Sequence, residues 1–364
     1  MNDDLHPRAA VLKMAPYSPP PSGRQDKLRL DFNENTTGCS PRVIAYLKSI
    51  LSEEQLSIYP EYESARDKLS SFFNVSPDSL LLTNGTDEAI QVLLNTYVND
   101  GEEVIILRPS FAGYRFFAEA AGACVSEVDY TSDTLGFPLA RLIERITQAT
   151  RAILLANPNN PTGTAVDIPG IELLLRRAQH SAVLIDEAYY EYYGYTALPL
   201  IATYPNLFVS RTFSKAYGLA ALRIGCLFSK ASNVASMRKA QAPYSVNIMA
   251  ALAAAAAVQD QEFIAAHVAE TLAARDLLVA GLRSFGVNCA PSSANFVLAF
   301  FGGRAAEVCA TLRTNGILVR DRTFQLPGAV RITSGTREQV QAALKIIELL
   351  FVNSHKTTGA GDAR

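Results

Sequence analysis

Residues 210–223 read SRTFSKAYGLAALR, which places one lysine just beyond an apolar run and an arginine eight residues later. The apolar run, residues 207–209, is typical of a buried strand. Open α/β proteins bind ligands at the carboxyl ends of such strands, so we expect Lys215 at that edge. Between Phe213 and Tyr217 the lysine would be partly desolvated, which favours a neutral amine able to attack a carbonyl carbon. On these residues alone, a solvated surface lysine is the alternative.

The composition indicates a globular protein. Of the 364 residues, 49% are apolar and 19% are charged, which rules out a disordered chain. A chain of this length usually forms more than one domain. The net charge of −2 provides no basic surface for a nucleic acid, so we expect small-molecule partners instead.

Membrane and secretory classes lack support in the sequence. The most apolar window, 249–258, is only about half of the ~20 residues that a membrane-spanning helix needs. The acidic start lacks the long apolar segment of a secretory signal. The five cysteines are odd in number and widely spaced, which indicates reduced thiols and a cytoplasmic location.

Short apolar runs alternate with amphipathic segments through the first two thirds of the chain. The runs predicted as strands are 80–82, 104–107, 124–125, 152–155, 183–185 and 207–209. Repeated strand–helix units imply an α/β fold with a mainly parallel sheet between helices. Residues 224–228 are predicted as a last, antiparallel strand.

A smaller α+β domain is predicted beyond that sheet. Residues 246–285 read as almost uninterrupted helix, since they are rich in strong helix formers. Strands and helices then alternate again up to residue 351. The predicted domains are an N-terminal arm at 1–28, a large cofactor-binding domain at 29–255, a small C-terminal domain at 256–352 and a disordered tail at 353–364.

Two polar stretches follow predicted strands of the large domain. Residues 84–88 read NGTDE and open a helix, whose free backbone N–H groups would suit a phosphate. Simple capping by Thr86 or Asp87 is the alternative. Residues 157–163 read NPNNPTG, for which a tight turn is the simpler explanation. The sequence lacks the glycine-rich fingerprints of dinucleotide and P-loop proteins, which weakens a nucleotide-binding interpretation.

Asp186 ends the buried run 183–185, and Tyr189 follows three residues later. Both side chains can therefore face the same crevice as Lys215. A buried carboxylate needs a cationic or hydrogen-bonded partner, and a protonated pyridine ring would be one. For Asp186 taken alone, a helix cap is the alternative.

Together these segments resemble the pyridoxal-phosphate enzymes of the aspartate-aminotransferase fold, in particular the histidinol-phosphate aminotransferase family. The matching segments are 33–35 (NEN), 59–61 (YPE), 85–88 (GTDE), 109–111 (PSF), 159–163 (NNPTG), 186–189 (DEAY), 211–215 (RTFSK), 316–321 (GILVRD) and 330–333 (VRIT). Each is weak alone, but their common order makes chance an untenable explanation. None of the four histidines falls in a matched segment, so neither a metal site nor a serine–histidine triad is expected.

The resemblance implies roles for individual residues. Lys215 would bind the cofactor covalently and act in catalysis with Asp186 and Tyr189. Asp186 would pair with the protonated pyridine nitrogen, which makes the ring an electron sink. Asn160 and Tyr189 match ligands of the ring hydroxyl oxygen, and Phe111 matches the residue that stacks on the ring.

The resemblance also implies a phosphate site, a substrate site and a homodimer. The phosphate ligands would be Gly85, Thr86, Asp87, Thr212, Ser214 and Arg223. Tyr59 matches a tyrosine that reaches the phosphate of the neighbouring subunit, so the active sites would be shared. Arg320 and Arg331 match the positions that bind a substrate carboxylate or phosphate. Tyr17 and Asn33 are further substrate candidates, with ordinary loop structure as the alternative.

We therefore expect a transaminase that uses pyridoxal phosphate to move an amino group from histidinol phosphate to 2-oxoglutarate. An aromatic amino acid aminotransferase is the first alternative, because such enzymes share the cofactor residues. A second is a lyase of the threonine-phosphate decarboxylase type on the same fold. A cofactor-sensing regulatory module would need a DNA-binding helical segment, for which the N-terminal arm is too short.

Overall fold

Two β-sheets organise the part of the chain that the computed structural model describes, which is residues 5–15, 23–131 and 135–358, with side chains up to Phe351. Tyr17, proposed above for the substrate site, lies outside these residues. The strands are β1 Leu28–Leu30, β2 Leu80–Thr83, β3 Glu103–Arg108, β4 Cys124–Asp129, β5 Thr150–Ala156, β6 Ala182–Asp186, β7 Leu207–Thr212, β8 Gly225–Phe228, β9 Asn288–Cys289, β10 Phe296–Phe300, β11 Ile317–Asp321 and β12 Ala329–Thr333. The helices are α1 Ala9–Lys13, α2 Pro41–Ile50, α3 Glu53–Ser57, α4 Glu63–Phe73, α5 Gly85–Tyr97, α6 Ala112–Ala120, α7 Leu139–Arg145, α8 Ile168–Arg177, α9 Tyr190–Tyr193, α10 Ala231–Met237, α11 Ile248–Ala257, α12 Gln261–Ser284, α13 Ala305–Thr314 and α14 Arg337–Thr358.

The larger sheet has the strand order β2-β8-β7-β6-β5-β3-β4. Strands β3 to β7 run parallel to one another, while β8 is antiparallel to both β2 and β7. The predicted α/β fold with a mainly parallel sheet is thus confirmed. The segment between β7 and β8 contains no α-helix. Because parallel neighbours need a longer crossover connection, these two adjacent strands run antiparallel.

Both faces of the larger sheet are buried. Ile185 and Val209 face one core cluster, whereas Leu184 and Phe208 face the other. Successive side chains of a strand point to opposite faces, so apolar residues at every position require helices on both sides. The next residues in register, Asp186 and Ser210, lie on the Leu184 face at the carboxyl edge.

The smaller sheet has the order β1-β11-β12-β10-β9 and packs its core against α12, α13 and α14. Its edge strand β1 comes from the N-terminal part of the chain and pairs in parallel with β11, Leu28 opposite Ile317. The boundary predicted between residues 28 and 29 therefore falls inside β1. At the other end of the chain, α14 extends to Thr358, and residues 359–364 of the predicted tail lie outside the described residues.

The almost uninterrupted helix predicted for 246–285 consists of two helices, α11 and α12, which are separated at residues 258–260. The side chain of Asp260 is buried there and accepts a hydrogen bond from Ser40, and it lies 3.4 Å from the guanidinium of Arg42. Helix propensity carries no information about such distant partners. Among the helices in the described ranges, none is long and apolar enough to cross a bilayer.

Candidate functional site

Lys215 lies just past the end of β7, at the carboxyl edge of the sheet, as the sequence predicts. Its Nζ donates a hydrogen bond to the backbone oxygen of Phe32 over 2.8 Å. Burial lowers the pKa of Lys215 to about 8, and the positive charge of Arg331 acts in the same direction. A substantial fraction of the amine is consequently neutral near physiological pH.

Asp186 ends the neighbouring strand β6 and is 4% exposed. Its Oδ1 accepts a hydrogen bond from Ser210 Oγ at 2.8 Å, and its Oδ2 accepts one from Tyr114 Oη at 2.9 Å. Burial raises the pKa of Asp186 to about 6, although both hydroxyl groups oppose that shift. Since these donors are neutral, a cation placed beside the carboxylate would relieve the cost of burying it, and a protonated pyridine nitrogen fits this requirement.

The phenol of Tyr189 forms the next group of the site. Its hydroxyl oxygen accepts hydrogen bonds from Asn33 Nδ2 at 2.9 Å and from Asn160 Nδ2 at 3.2 Å. Burial is the main reason why the pKa of Tyr189 is raised, so the O–H remains available as a donor at neutral pH. The structure thus brings Asn33, Asn160 and Tyr189 together.

Asn33 extends from the chain that follows β1. Its backbone has φ of 56°, in the left-handed region that asparagine tolerates better than most residues. Its backbone N–H donates to Thr333 Oγ1 at 3.0 Å, and that hydroxyl donates back to Asn33 Oδ1 at 3.1 Å. Both bonds to Thr333 fix the amide so that its Nδ2 points at Tyr189.

Arg331 reaches the same site from β12 and is 3% exposed. Its Nη1 donates to Asn160 Oδ1 and its Nη2 to the backbone oxygen of Asp31, both over 2.5 Å. Arg320 lies directly opposite on β11, so the two side chains share one face of the smaller sheet. The guanidinium carbon of Arg320 is 5.4 Å from the centre of the Phe32 ring.

The predicted phosphate ligands meet where α5 begins. The residue before this helix, Asn84, makes no side-chain capping bond, so the first N–H groups of α5 lack that acceptor. The guanidinium of Arg223 lies close to Gly85, the first residue of the helix. Arg223 Nη1 lies 3.5 Å from Ser214 Oγ, and Nη2 lies 3.0 Å from Asp87 Oδ2. Thr212 Oγ1 accepts a hydrogen bond from the backbone N–H of Ser214 at 3.1 Å, which places both hydroxyls at one turn.

Glycine at position 85 is needed for this arrangement. Its φ is 71°, and a Cβ built on Gly85 would collide with the guanidinium of Arg223. A helix N-terminus with hydroxyl groups and a guanidinium close by has the chemistry that a phosphate requires, so the residues fit the cofactor that the resemblance implies.

Phe111 immediately precedes α6, and its ring makes an edge contact with Tyr114, with 5.5 Å between the ring centres. A side chain at residue 113 would collide with the Phe111 ring, so Gly113 allows that ring to lie against the helix. Phe111 is only partly buried, so part of its side chain remains accessible to a ligand.

Sequence reasoning missed several residues that support the site. Tyr114 and Ser210 bind Asp186, while Asn159 fixes the loop before Asn160 by accepting a hydrogen bond from Ser110 Oγ at 2.7 Å. A buried asparagine in a turn carries no distinguishing pattern. The tyrosine and the serine occupy positions that apolar packing would also explain.

Tyr59 is not brought to these residues within one chain. It is 76% exposed, and its ring stacks on Tyr244 with 4.7 Å between the ring centres. Among the described residues, no hydrogen bond or ring contact joins it to the groups above. Its predicted role toward a neighbouring subunit stays a prediction.

Comparisons with known proteins agree with one another. Residues 25–347 match the family described as aminotransferase class I and II. A histidinol-phosphate aminotransferase of Symbiobacterium thermophilum is 36% identical over 346 residues, which is 91% of this chain and 95% of that protein. One of Bacillus velezensis is 37% identical over 333 residues, or 89% of this chain and 92% of the relative.

Solved structures show the same fold. The histidinol-phosphate aminotransferase of Sinorhizobium meliloti, crystallised in complex with pyridoxal-5'-phosphate, superimposes with a TM-score of 0.84. The match covers 94% of this chain and 98% of that one at 22% identity, so it is evidence for the fold alone.

Proposed function

The chain belongs to the class I and II aminotransferases, and from that premise we propose that it transfers the amino group of histidinol phosphate to 2-oxoglutarate with pyridoxal phosphate as cofactor. The transaminase class follows from the family. The substrate is proposed because the relatives that match about nine tenths of the chain carry that activity in their names. The single structural observation that carries the proposal is the cross-strand pair of Arg320 and Arg331.

The proposed cofactor ligands are the residues described above. Arg223, Thr212, Ser214 and the first N–H groups of α5 would hold the phosphate, and Phe111 would cover the ring. Asn160 and Tyr189 would bind the ring oxygen, and Asp186 the ring nitrogen. When bound, pyridoxal phosphate supplies a carbonyl group that reacts with amines and a ring that accepts electrons from the neighbouring carbon.

Lys215 is proposed to carry protons. With its pKa lowered to about 8, the amine can accept the proton from the α-carbon of the amino donor. The resulting ammonium can give the proton back one carbon away, because its pKa is close to the working pH. The backbone oxygen of Phe32 accepts a hydrogen bond from the amine in either protonation state, which keeps the nitrogen in place.

Arg331 and Arg320 are proposed to bind the anions of both substrates. Histidinol phosphate carries a phosphate dianion and no carboxylate, whereas 2-oxoglutarate carries two carboxylates. Two guanidinium groups on one face suit a dianion, and a single one would suffice for a monocarboxylate.

The substrate proposal is tested by comparing kcat/KM for histidinol phosphate and phenylalanine, with 2-oxoglutarate as acceptor. The wild type should prefer histidinol phosphate, and Arg320→Ala should lose at least about tenfold toward it, the loss expected for one charge-assisted hydrogen bond. Arg313→Ala, an exposed position on α13, is the matched control. A preference for phenylalanine, or an Arg320→Ala variant without loss, would refute the substrate while leaving the transaminase. Release of carbon dioxide without a keto acid would indicate the lyase instead.

We also propose a homodimer with shared active sites. A group of apolar side chains is more than half exposed and comes from the chain around α3 and before α11: Leu51, Leu56, Ile58, Tyr59 and Tyr244. A second copy of the chain would cover this surface, which we call the Tyr59 patch, and would bring Tyr59 to the partner's phosphate site. All five cysteines are free, which supports a cytoplasmic enzyme.

A further inference from the structure

Two residues behind the site, Tyr114 and Ser210, donate hydrogen bonds to Asp186. Tyr114 lies in the first turn of α6, three residues after Phe111, and its side chain is completely buried. Its hydroxyl donates to Asp186 Oδ2 at 2.9 Å, while Ser210 donates to the other oxygen at 2.8 Å. Each carboxylate oxygen therefore has one neutral hydroxyl donor, one from a helix and one from the neighbouring strand.

The charges around Asp186 make these donors important. Two carboxylates repel a negative charge on Asp186: that of Asp87 on α5 and that of Glu187, the next residue in the chain. The phenol of Tyr189 is also nearby. Burial is the larger cause of the raised pKa of Asp186, and this repulsion adds to it, so the carboxylate would be protonated more readily without the two hydroxyl groups.

Tyr114 keeps its proton under all working conditions. Burial and the adjacent Asp186 raise the pKa of Tyr114 well above its ordinary value. The phenol is consequently always a donor to the carboxylate and never a competing anion.

We propose that Tyr114 is a positioning residue that keeps Asp186 ionised and oriented toward the ring nitrogen, with Ser210 as its counterpart on the other oxygen. This inference rests on the proposed function for its consequence in catalysis. Tyr114 also links the orientation of Asp186 to that of Phe111, because its hydroxyl binds Asp186 and its ring contacts the Phe111 ring at the start of α6.

The first test uses cofactor-free protein, so it is independent of catalysis. Aspartate labelled with ¹³C at Cγ is titrated by NMR, and the Asp186 resonance is assigned by its loss in Asp186→Asn. Tyr114→Phe should raise the carboxyl pKa by about one unit, the effect of one hydrogen bond to a charged group. Ser210→Ala should raise it similarly and covers the case in which Tyr114→Phe fails to fold.

Tyr192→Phe is the matched control, since Tyr192 is also buried and its hydroxyl bonds to His267 rather than to Asp186. This variant should leave the Asp186 titration unchanged. If Tyr114→Phe titrates like Tyr192→Phe, the positioning role is refuted.

The second test measures the affinity of each cofactor-free variant for pyridoxal phosphate between pH 5 and 8.5. Ionised Asp186 is required for tight binding, so affinity should fall below the carboxyl pKa, and Tyr114→Phe should move that fall to higher pH. A purely structural defect would weaken binding by one factor at every pH, which would contradict the proposal. Should the wild type bind no pyridoxal phosphate, the proposed function fails, and the NMR titration still decides the role of Tyr114.

Discussion

The amine of Lys215 is held by the backbone oxygen of Phe32 across 2.8 Å, a contact between the end of β7 in the larger sheet and the chain that follows β1 in the smaller one. The neighbouring residues of that chain bind the site too, Asp31 through its backbone oxygen and Asn33 through its amide. The reactive group is therefore positioned only when both sheets are in place.

Replacing Lys215 by alanine should give folded protein that binds pyridoxal phosphate without the visible absorbance of a lysine-bound cofactor. Transamination should fall by at least about 1000-fold, because the group that moves the proton is gone. Lys239→Ala, an exposed position, should keep both properties. Turnover of the Lys215→Ala variant within a few-fold of wild type would rule out the assignment.

In cofactor-free protein, Lys215 should react with acetic anhydride at a rate that rises with pH through a midpoint of about 8. Only the neutral amine is nucleophilic, and burial favours that form. In urea-unfolded protein the midpoint should return to about 10.4. Peptide mass spectrometry after short pulses measures the rate, and equal midpoints in the two states would show that the site does not desolvate the lysine.

Asp186→Asn should remove a pH dependence from the stability of cofactor-free protein. Burial raises the pKa of Asp186 from 3.8 to about 6, so between these values the folded state binds more protons and stability falls as pH rises. From pH 4.5 to 7.5 the wild type should lose about 2 kcal/mol of unfolding free energy relative to the variant. Urea titrations at the two pH values measure this difference. Parallel curves would contradict it.

Arg331→Met and Arg331→Lys should separate charge from geometry. The charge of Arg331 lowers the pKa of Lys215, so the methionine variant should shift the acetylation midpoint of Lys215 upward, whereas the lysine variant should not. Neither side chain can contact Asn160 and Asp31 together as the guanidinium does, so both should lose at least about tenfold in kcat/KM for 2-oxoglutarate. A fully active lysine variant would show that the planar fork is not required.

Ile58→Asp should disrupt the proposed dimer, because it places a charge in the Tyr59 patch, where Ile58 is 54% exposed. Sedimentation should show a dimer for the wild type and a shift toward single chains for the variant. Leu349→Asp is the control, an equally exposed leucine on α14 outside the patch. A wild type that sediments as a single chain at micromolar concentration would refute the dimer.

The positions of Lys215 and Asp186 could be predicted from the sequence because parallel strands deliver their last residues to one edge. The antiparallel orientation of β8 could also be predicted from the sequence. The order of the strands was not, since it depends on pairings between distant segments such as β2 and β8. The break between α11 and α12 was not predicted either, and the buried Asp260 at that break binds Ser40, which is 220 residues away in the chain.

A residue's place in a matched segment also does not predict whether its side chain points toward the site. Arg211 stands in the same matched segment as Lys215, yet it points away from the site, where its Nε pairs with Glu187 Oε2 at 2.7 Å. Both side chains are buried on the opposite face of the larger sheet from Ser210. By contrast, Tyr114 lies outside every matched segment and binds Asp186 directly. Which side chain reaches the site follows from the strand register, which the sequence alone did not reveal.

The pairing of β1 with β11 has a consequence for biosynthesis. Leu28 is made early, but its partner Ile317 appears only when most of the chain has left the ribosome, and the bond from Arg331 to Asp31 spans 300 residues. Domains generally fold as units during translation, the N-terminal one first. The larger sheet can therefore form on a nascent chain before β11, the partner of β1, has been synthesised. Phe32, the acceptor for Lys215, follows β1 directly, so a chain truncated before β11 would lack the strand that pairs with the segment carrying this acceptor.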